Sequence, residues 1–333
     1  MITSKSLVWT SRLNWDQNRA YITRLDVPEY NNSNVRFAVG ERYGNVWGHK
    51  FVRSCSELPG DFQSRCGAGK EWQPNDEGFI VWVGQGNNYQ DGITKNLWQS
   101  MTGGCVVKGV VRGDIQGIKN CAAAGGTVNT PWGQRQVHWG MLTAVRDSNG
   151  SEINQLLGNA MPAWKIGWSH NLQYKRINAY VLLDKTFGNR IYNTDRHWSW
   201  GDFMTNDIQQ NGKSVDNAKP IGYYWRSAAP EAATGVGGYY DQLGPNNISY
   251  EDGSYVKIRE LSFSYNIGRI SHVVGNWSLT AVGRNLYTWT KYTGWDPDAG
   301  GGGGQVQSGA LLAQQSSSYP QIRNFTVTIS SKF

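Results

Sequence analysis

An all-β, antiparallel fold is what this sequence predicts, and three observations carry that reading: apolar residues recur at every second position in several segments, glycine and aromatic residues are abundant, and connections alternate between short and long. The 41 Gly, 16 Trp and 17 Tyr stand in a chain with only 39% apolar residues. That balance suits many turns and aromatic-rich strands, not packed helices.

Taken in order, the first strand pattern lies near the start, where Leu7, Trp9, Leu13 and Trp15 fall on one side and Ser6, Thr10, Arg12 and Asn14 on the other. Residues 30–160 carry weaker strand signals, around 39–52, 79–83 and 137–145, and give no strand direction. From Trp164, the positions Ile166, Trp168, Leu172 and Tyr174 alternate with Lys165, Gly167, Ser169, Asn171 and Gln173. Ala179, Val181 and Leu183 continue such a face after Ile177, and only Lys175 and Arg176 intervene, which predicts a tight hairpin.

The same pattern returns in Leu261, Phe263 and Tyr265, then in Trp277, Leu279 and Ala281 after a short connection through Gly268 and Gly275. Lys257, Arg259 and Glu260 break the parity just before Leu261, which reads as a lumen-facing stretch or a bulge near the outer rim. The last run places Phe325, Val327, Ile329 and Phe333 on one face and Asn324, Thr326, Thr328, Ser330 and Lys332 on the other.

Connections run about two residues after Tyr174, about sixty after Asn193, about nine after Ile267 and about thirty after Thr290. Outer-membrane barrels alternate short periplasmic turns with long extracellular loops, so the sequence predicts a transmembrane β-barrel. Aromatics near strand ends, among them Tyr192, Tyr255, Tyr287 and Trp289, suit interfacial girdles. The mean hydropathy of -0.54 does not oppose this, because strands with one apolar face average to a polar sequence. A membrane-crossing helix is excluded: it requires roughly 18 consecutive apolar residues, and a run such as 179–183 has five. The residues after Met1 show no export signal, so one is expected upstream of Met1.

The net charge of +7 comes from scattered Lys and Arg without a dense basic run, which argues against nucleic acid. Cys55, Cys66, Cys105 and Cys121 lie in polar, Gly-rich stretches without CxxC spacing, so loop disulfides are expected over zinc or free thiols. Four cysteines permit three connectivities, and spacing does not choose among them. His49, His138, His170, His197 and His272 lack metal-ligand spacing, and neither a nucleophile elbow nor a phosphate-binding loop is present. No cofactor is expected.

Asp296 and Asp298 with Gly300 form a fragment of an acidic, calcium-type loop, but no bidentate Glu follows at loop spacing. Asp76 and Glu77 are adjacent and read as a turn. The loop aromatics Trp198, Trp200, Tyr223, Tyr224, Trp225, Tyr239 and Tyr240 are candidates for stacking on sugars or lining a peptide site, with plain loop packing as the alternative.

Three C-terminal segments carry a family likeness. SYVKIRELSFSY (254–265), GRNLYTWTKYTGWDPD (283–298) and YPQIRNFTVTISSKF (319–333) are similar, in order and spacing, to the closing strands of SusC/RagA TonB-linked outer-membrane proteins. MPAWKIGWSHNLQYKRINAYVLLD (161–184), GNRIYN (188–193) and NDEGFIVWVGQG (75–86) resemble that family as well. The resemblance implies a 22-stranded barrel plugged by an N-terminal domain, of which residues 1–333 would be the C-terminal part, with the plug and signal peptide elsewhere. It implies a multi-pass protein of the cell outer membrane that imports a small glycan or peptide. The partners it implies are a SusD-like lipoprotein, the TonB–ExbB–ExbD complex acting through the plug, and outer-membrane lipid. Phe333, with Ile329 and Val327 on its face, resembles the C-terminal signal read by barrel-assembly machinery.

A secreted soluble β-sandwich, such as a carbohydrate-binding module, would use the same alternation to fill a dry interior. A glycan-cleaving enzyme would require two carboxylates converging across a cleft. Non-enzymatic transport is the expectation.

Overall fold

The structure is a computed structural model, and it describes residues 2–3, 6–32, 34–58, 60–83, 88–89, 104–107, 110–113, 128–130, 133–135, 140, 142–147, 151–201, 204–209, 211–213, 219, 223, 239–240, 247–269, 275–299, 314–315 and 319–332. It divides into two compact units: unit 1 comprises 1–46, 158–194 and 250–333, and unit 2 comprises 47–157 and 195–249.

Unit 1 is built on a seven-stranded sheet of β1 (Ile2–Thr3), β2 (Leu7–Asp16), β3 (Trp164–Tyr174), β4 (Ile177–Phe187), β5 (Tyr255–Arg269), β6 (Asn276–Thr290) and β7 (Asn324–Lys332). The strands lie side by side in chain order, and every neighbouring pair is antiparallel. This is an up-and-down meander. Lys175 and Arg176 alone connect β3 to β4, with Tyr174 opposite Ile177 and Lys175 at a φ of 51°, the positive value that tight hairpin turns take. The connection from β5 to β6 also joins neighbouring ends, and β5 reaches Arg269, two residues past the expected Ile267. The long connections 17–163, 188–254 and 291–323 all leave from the opposite ends of the strands. The expected alternation of short and long links is therefore present.

Register confirms the two-faced strands. Directly paired residues share a face, so Trp9, Leu172, Ala179, Phe263, Ala281 and Val327 form one row across six strands. The next row on that face is Leu7, Tyr174, Ile177, Tyr265, Leu279 and Ile329. On the reverse face, Thr10, Asn171, Tyr180, Ser262, Val282 and Thr326 align. The parity break before Leu261 is a bulge: the register between β5 and β4 shifts so that Leu183 pairs with Ile258 and Leu182 with Glu260, leaving Arg259 as the extra residue.

Unit 2 is held by two buried clusters on opposite sides of one short strand. Ile80 and Trp82 join Val52, Leu58, Cys66, Trp72 and Val145, whereas Phe79, Val81 and Val83 join Phe51, Leu142, Trp200 and Tyr223. Period-two alternation here separates two apolar cores, and so the segment reads as a continuous apolar run. Cys55 and Cys66 are disulfide-bonded beside the first cluster. The side chain of Cys105 and all of Cys121 lie outside the described residues.

Candidate functional site

The seven-stranded sheet presents its apolar face uncovered. Leu13, Leu261, Phe263, Leu279, Phe325 and Ile329 are exposed, and Val327 is 70% exposed. The buried apolar residues belong almost entirely to the loops and short strands outside this sheet; Tyr255, on the reverse face, is the exception among the described residues. A soluble sandwich covers such a face, and an open patch of this extent marks a membrane or partner surface.

The dimensions fit a bilayer. From Trp164 to Tyr174 there are ten steps, which at about 3.3 Å each span roughly 33 Å along the strand and, at a tilt near 40°, about 25 Å across a membrane, the height of an outer-membrane barrel's apolar band. Aromatics mark both ends of that span. Trp15 and Trp164 lie 6.2 Å apart, Trp164 and Phe187 5.9 Å, and Tyr287 and Trp289 4.7 Å at one end; Tyr174 and Tyr265 stand at the other. Two of the expected girdle residues sit elsewhere. Tyr255 is buried on the reverse face, where its hydroxyl donates to Asp298 at 2.8 Å, and Tyr192 lies in the short strand Arg190–Asn193 opposite Tyr250.

His170 is a polar residue on the apolar face, in register with Ser11 and Val181. Two indoles serve these polar groups: Trp9 Nε1 donates to His170 Nδ1 at 3.3 Å, and Trp168 Nε1 donates to Ser11 Oγ at 2.9 Å. Polar atoms on an apolar surface are tolerated when they bond to one another.

The reverse face is polar and carries an open groove of about 470 Å³ lined by Thr10, Arg12, Asn171, Tyr180, Glu260 and Ser262 with their neighbours. Hydroxyls, amides and one charge of each sign suit a hydrated solute, and no pair of carboxylates converges among the lining residues.

Toward the end of the sheet that bears the long connections, the polar face holds an ion network. Lys257 Nζ donates to both carboxylate oxygens of Asp296, at 3.1 and 3.0 Å, and to Asp298 at 3.2 Å. Arg259 donates to Asp184 through two nitrogens, at 2.8 and 2.6 Å, and also to Asp298 and to Gln321 Oε1. Burial by itself raises the Asp298 carboxyl, but Arg259, the Tyr255 hydroxyl and Lys257 outweigh it and hold the group below its ordinary range. The acidic pair read from sequence as a calcium-loop fragment is thus matched by the chain's own cations. The sequence shows Lys257, Arg259, Asp296 and Asp298 as separate features, places Tyr255 in a girdle, and gives no sign of Asp184 or Gln321. The available signal was a Lys and an Arg inside a strand, followed by two Asp just past the next strand.

In unit 2, four of the loop aromatics, Trp200, Tyr223, Tyr239 and Tyr240, gather into one cluster. Tyr223 lies 5.3 Å from Tyr239 and 6.0 Å from Tyr240, and Trp200 lies 5.3 Å from Tyr239. Trp200, Tyr223 and Tyr240 are buried within the second cluster, while Trp198, on helix α1 (Thr194–Gly201), is 56% exposed. Tyr224 and Trp225 lie outside the described residues, as does Phe333. Burial pushes the Tyr223 hydroxyl far up, helped by the neighbouring Tyr89 and Glu77, and the group hydrogen-bonds to Glu77. Glu77 also pairs with Lys219, so Asp76 and Glu77 form a turn whose second carboxylate is already engaged.

No family model matches the sequence. Among curated proteins, TonB-dependent receptor P3 of Formosa agariphila is 26% identical over 204 residues, 58% of this chain and 19% of that receptor. TonB-dependent receptor P26 of the same organism is 24% identical over 197 residues, 56% of this chain and 19% of that receptor. Among solved structures, the RagAB peptide transporter matches with a TM-score of 0.53 at 15% identity, covering 99% of this chain and 27% of that one. The chain shares the fold of a part of that transporter. The RagAB peptide importer in its closed-closed state matches similarly, with a TM-score of 0.50 and 28% of that chain covered. The SusC/RagA-type resemblance read from the strand motifs stands, and the aligned part spans about a fifth of each curated TonB-dependent receptor. The seven-stranded sheet does not close on itself among the described residues.

Proposed function

We propose that residues 1–333 are the C-terminal barrel portion of an outer-membrane, TonB-dependent nutrient importer of the SusC type. The observation that supports this reading best is the uncovered apolar face of the seven-stranded sheet, backed by a polar face with an open groove. In this reading the apolar rows meet lipid, the polar rows line the lumen, the short turns face the periplasm and the long connections face outside. A plug domain and an export signal encoded outside these residues complete the receptor.

The cargo is a small glycan or an oligopeptide, captured with a SusD-like lipoprotein and admitted when TonB–ExbB–ExbD acts on the plug. The RagAB structures are of a peptide importer, which favours the same general task for this chain. Exposed Trp198 and half-buried Tyr239 are the loop aromatics best placed to touch cargo. Phe333, Ile329 and Val327 serve as the assembly signal. The work is transport driven by plug displacement, without bond cleavage by the barrel.

The test is fractionation joined to uptake. The receptor containing this chain should partition with outer membranes and require detergent for extraction. Its deletion should abolish uptake of one class of labelled oligosaccharide or peptide, and a protonophore should do the same to the intact strain. Recovery of the protein in a detergent-free soluble fraction would overturn the proposal.

A further inference from the structure

The pairing of β7 with β6 lacks a local cause. Between β3 and β4 a two-residue turn fixes the register, but β6 and β7 are joined by the connection 291–323, which is too long to fix the register as a tight turn does. The apolar pattern supplies only half of the answer. A one-residue slip would turn Phe325, Val327 and Ile329 to the polar face and is strongly disfavoured, whereas a two-residue slip leaves all three on the apolar face.

The ion network discriminates where the pattern cannot. Asp296 and Asp298, just past β6, are bound by Lys257 and Arg259 of β5. Gln321, just before β7, is held by the same groups: its backbone N–H donates to Asp296 at 3.2 Å, and its side-chain oxygen accepts from Arg259 at 2.8 Å. Asn285 Nδ2 adds a bond to the carbonyl of Ile322 at 3.4 Å. Both ends of the long connection therefore converge on two cations of a third strand. A two-residue slip moves Gln321 by roughly 7 Å, well beyond hydrogen-bond reach. In one direction its place is taken by Arg323, a further cation beside Lys257 and Arg259; in the other it is taken by Tyr319, which has no amide oxygen for the guanidinium.

We propose that Lys257, Arg259, Asp296, Asp298 and Gln321 form a register clasp, a device that selects the native pairing of β7 over pairings slipped by two residues. It acts at the level of strand pairing and does not depend on the cargo or on the energy source.

The experiment is disulfide trapping in the full chain, assembled in outer membranes, with Cys105 and Cys121 replaced by Ala. Cysteines at Thr280 and Thr328 report the native register, since these residues are directly paired. Cysteines at Thr280 and Ser330, or at Thr280 and Thr326, report the two slips. The parent should form the native crosslink at least ten times more than either slipped one. In Lys257→Met that excess should fall below threefold, and Lys257→Asp combined with Asp296→Lys should restore it. Gln321→Leu leaves the ion pairs intact and removes only the contacts of its side chain, so it reads the register even where Lys257→Met does not assemble; its excess should fall at least threefold. An unchanged native excess in Gln321→Leu, or slipped crosslinks as abundant as native ones in the parent, would overturn the proposal.

Discussion

Lys257 Nζ lies 3.0 Å from Asp296, 39 residues away in sequence, and its side chain is only 1% exposed. A cation so buried within a sheet is retained only with its partners in place, so the fate of each partner is a stability question.

Removing one side of this pair leaves buried charge behind. Lys257→Met should cost about 3–5 kcal/mol, while Lys257→Met with both Asp296→Asn and Asp298→Asn should recover much of that loss. Denaturant unfolding in detergent, followed by the gel shift between folded and unfolded barrel, measures both.

Acid should loosen the same region. Because the Asp298 carboxyl is held below its unfolded value of 3.8, its contribution is fully present above that value and is lost as pH falls through the lower folded one. Asp184, Asp296, Lys257, Arg259 and Tyr255 surround it. Melting curves should drop more steeply below about pH 4 in the parent than in Asp298→Asn.

Reduction tests unit 2. Opening the Cys55–Cys66 disulfide, which spans 11 residues beside the Trp72 and Trp82 cluster, should destabilise that unit by about 2–4 kcal/mol. Proteolysis at Arg53 or Arg65 with and without reductant provides the readout, and equal cleavage rates would contradict the expectation.

Two tryptophans separate packing from contact. Trp82→Ala empties a buried position and should cost about 3–5 kcal/mol. Trp198→Ala, at an exposed position, should change stability by no more than about 0.5 kcal/mol and yet lower uptake if its ring touches cargo. Unfolding and uptake assays on both variants distinguish these roles.

Strands were legible where one rule acted locally. Phe325, Val327 and Ile329 announce β7 by alternation alone, and Lys175–Arg176 announces the β3–β4 hairpin, because face and turn depend on neighbours in sequence. The parity break at Lys257 and Arg259 announced a lumen-facing stretch or a bulge, and the bulge is present. The destination of those charges was hidden, since Asp184 lies 75 residues from Arg259. Which loop aromatics pack was hidden for a similar reason: composition reveals rings but not their neighbours, and Tyr223 meets Glu77 across 146 residues. Tyr255 and Tyr192 were assigned to a girdle by nearness to strand ends, a cue that carries no information about face.

The central claim is that the apolar rows of the sheet face lipid hydrocarbon. Spin labels placed singly at positions 325–330, in the receptor reconstituted in bilayers, test it through collision with oxygen and with a water-soluble nickel chelate. Oxygen should dominate at Phe325, Val327 and Ile329, the chelate should dominate at Thr326, Thr328 and Ser330, and the two signals should alternate strictly. Low access to both reagents at Phe325, Val327 and Ile329 would place these side chains in a sealed protein interior and contradict the account.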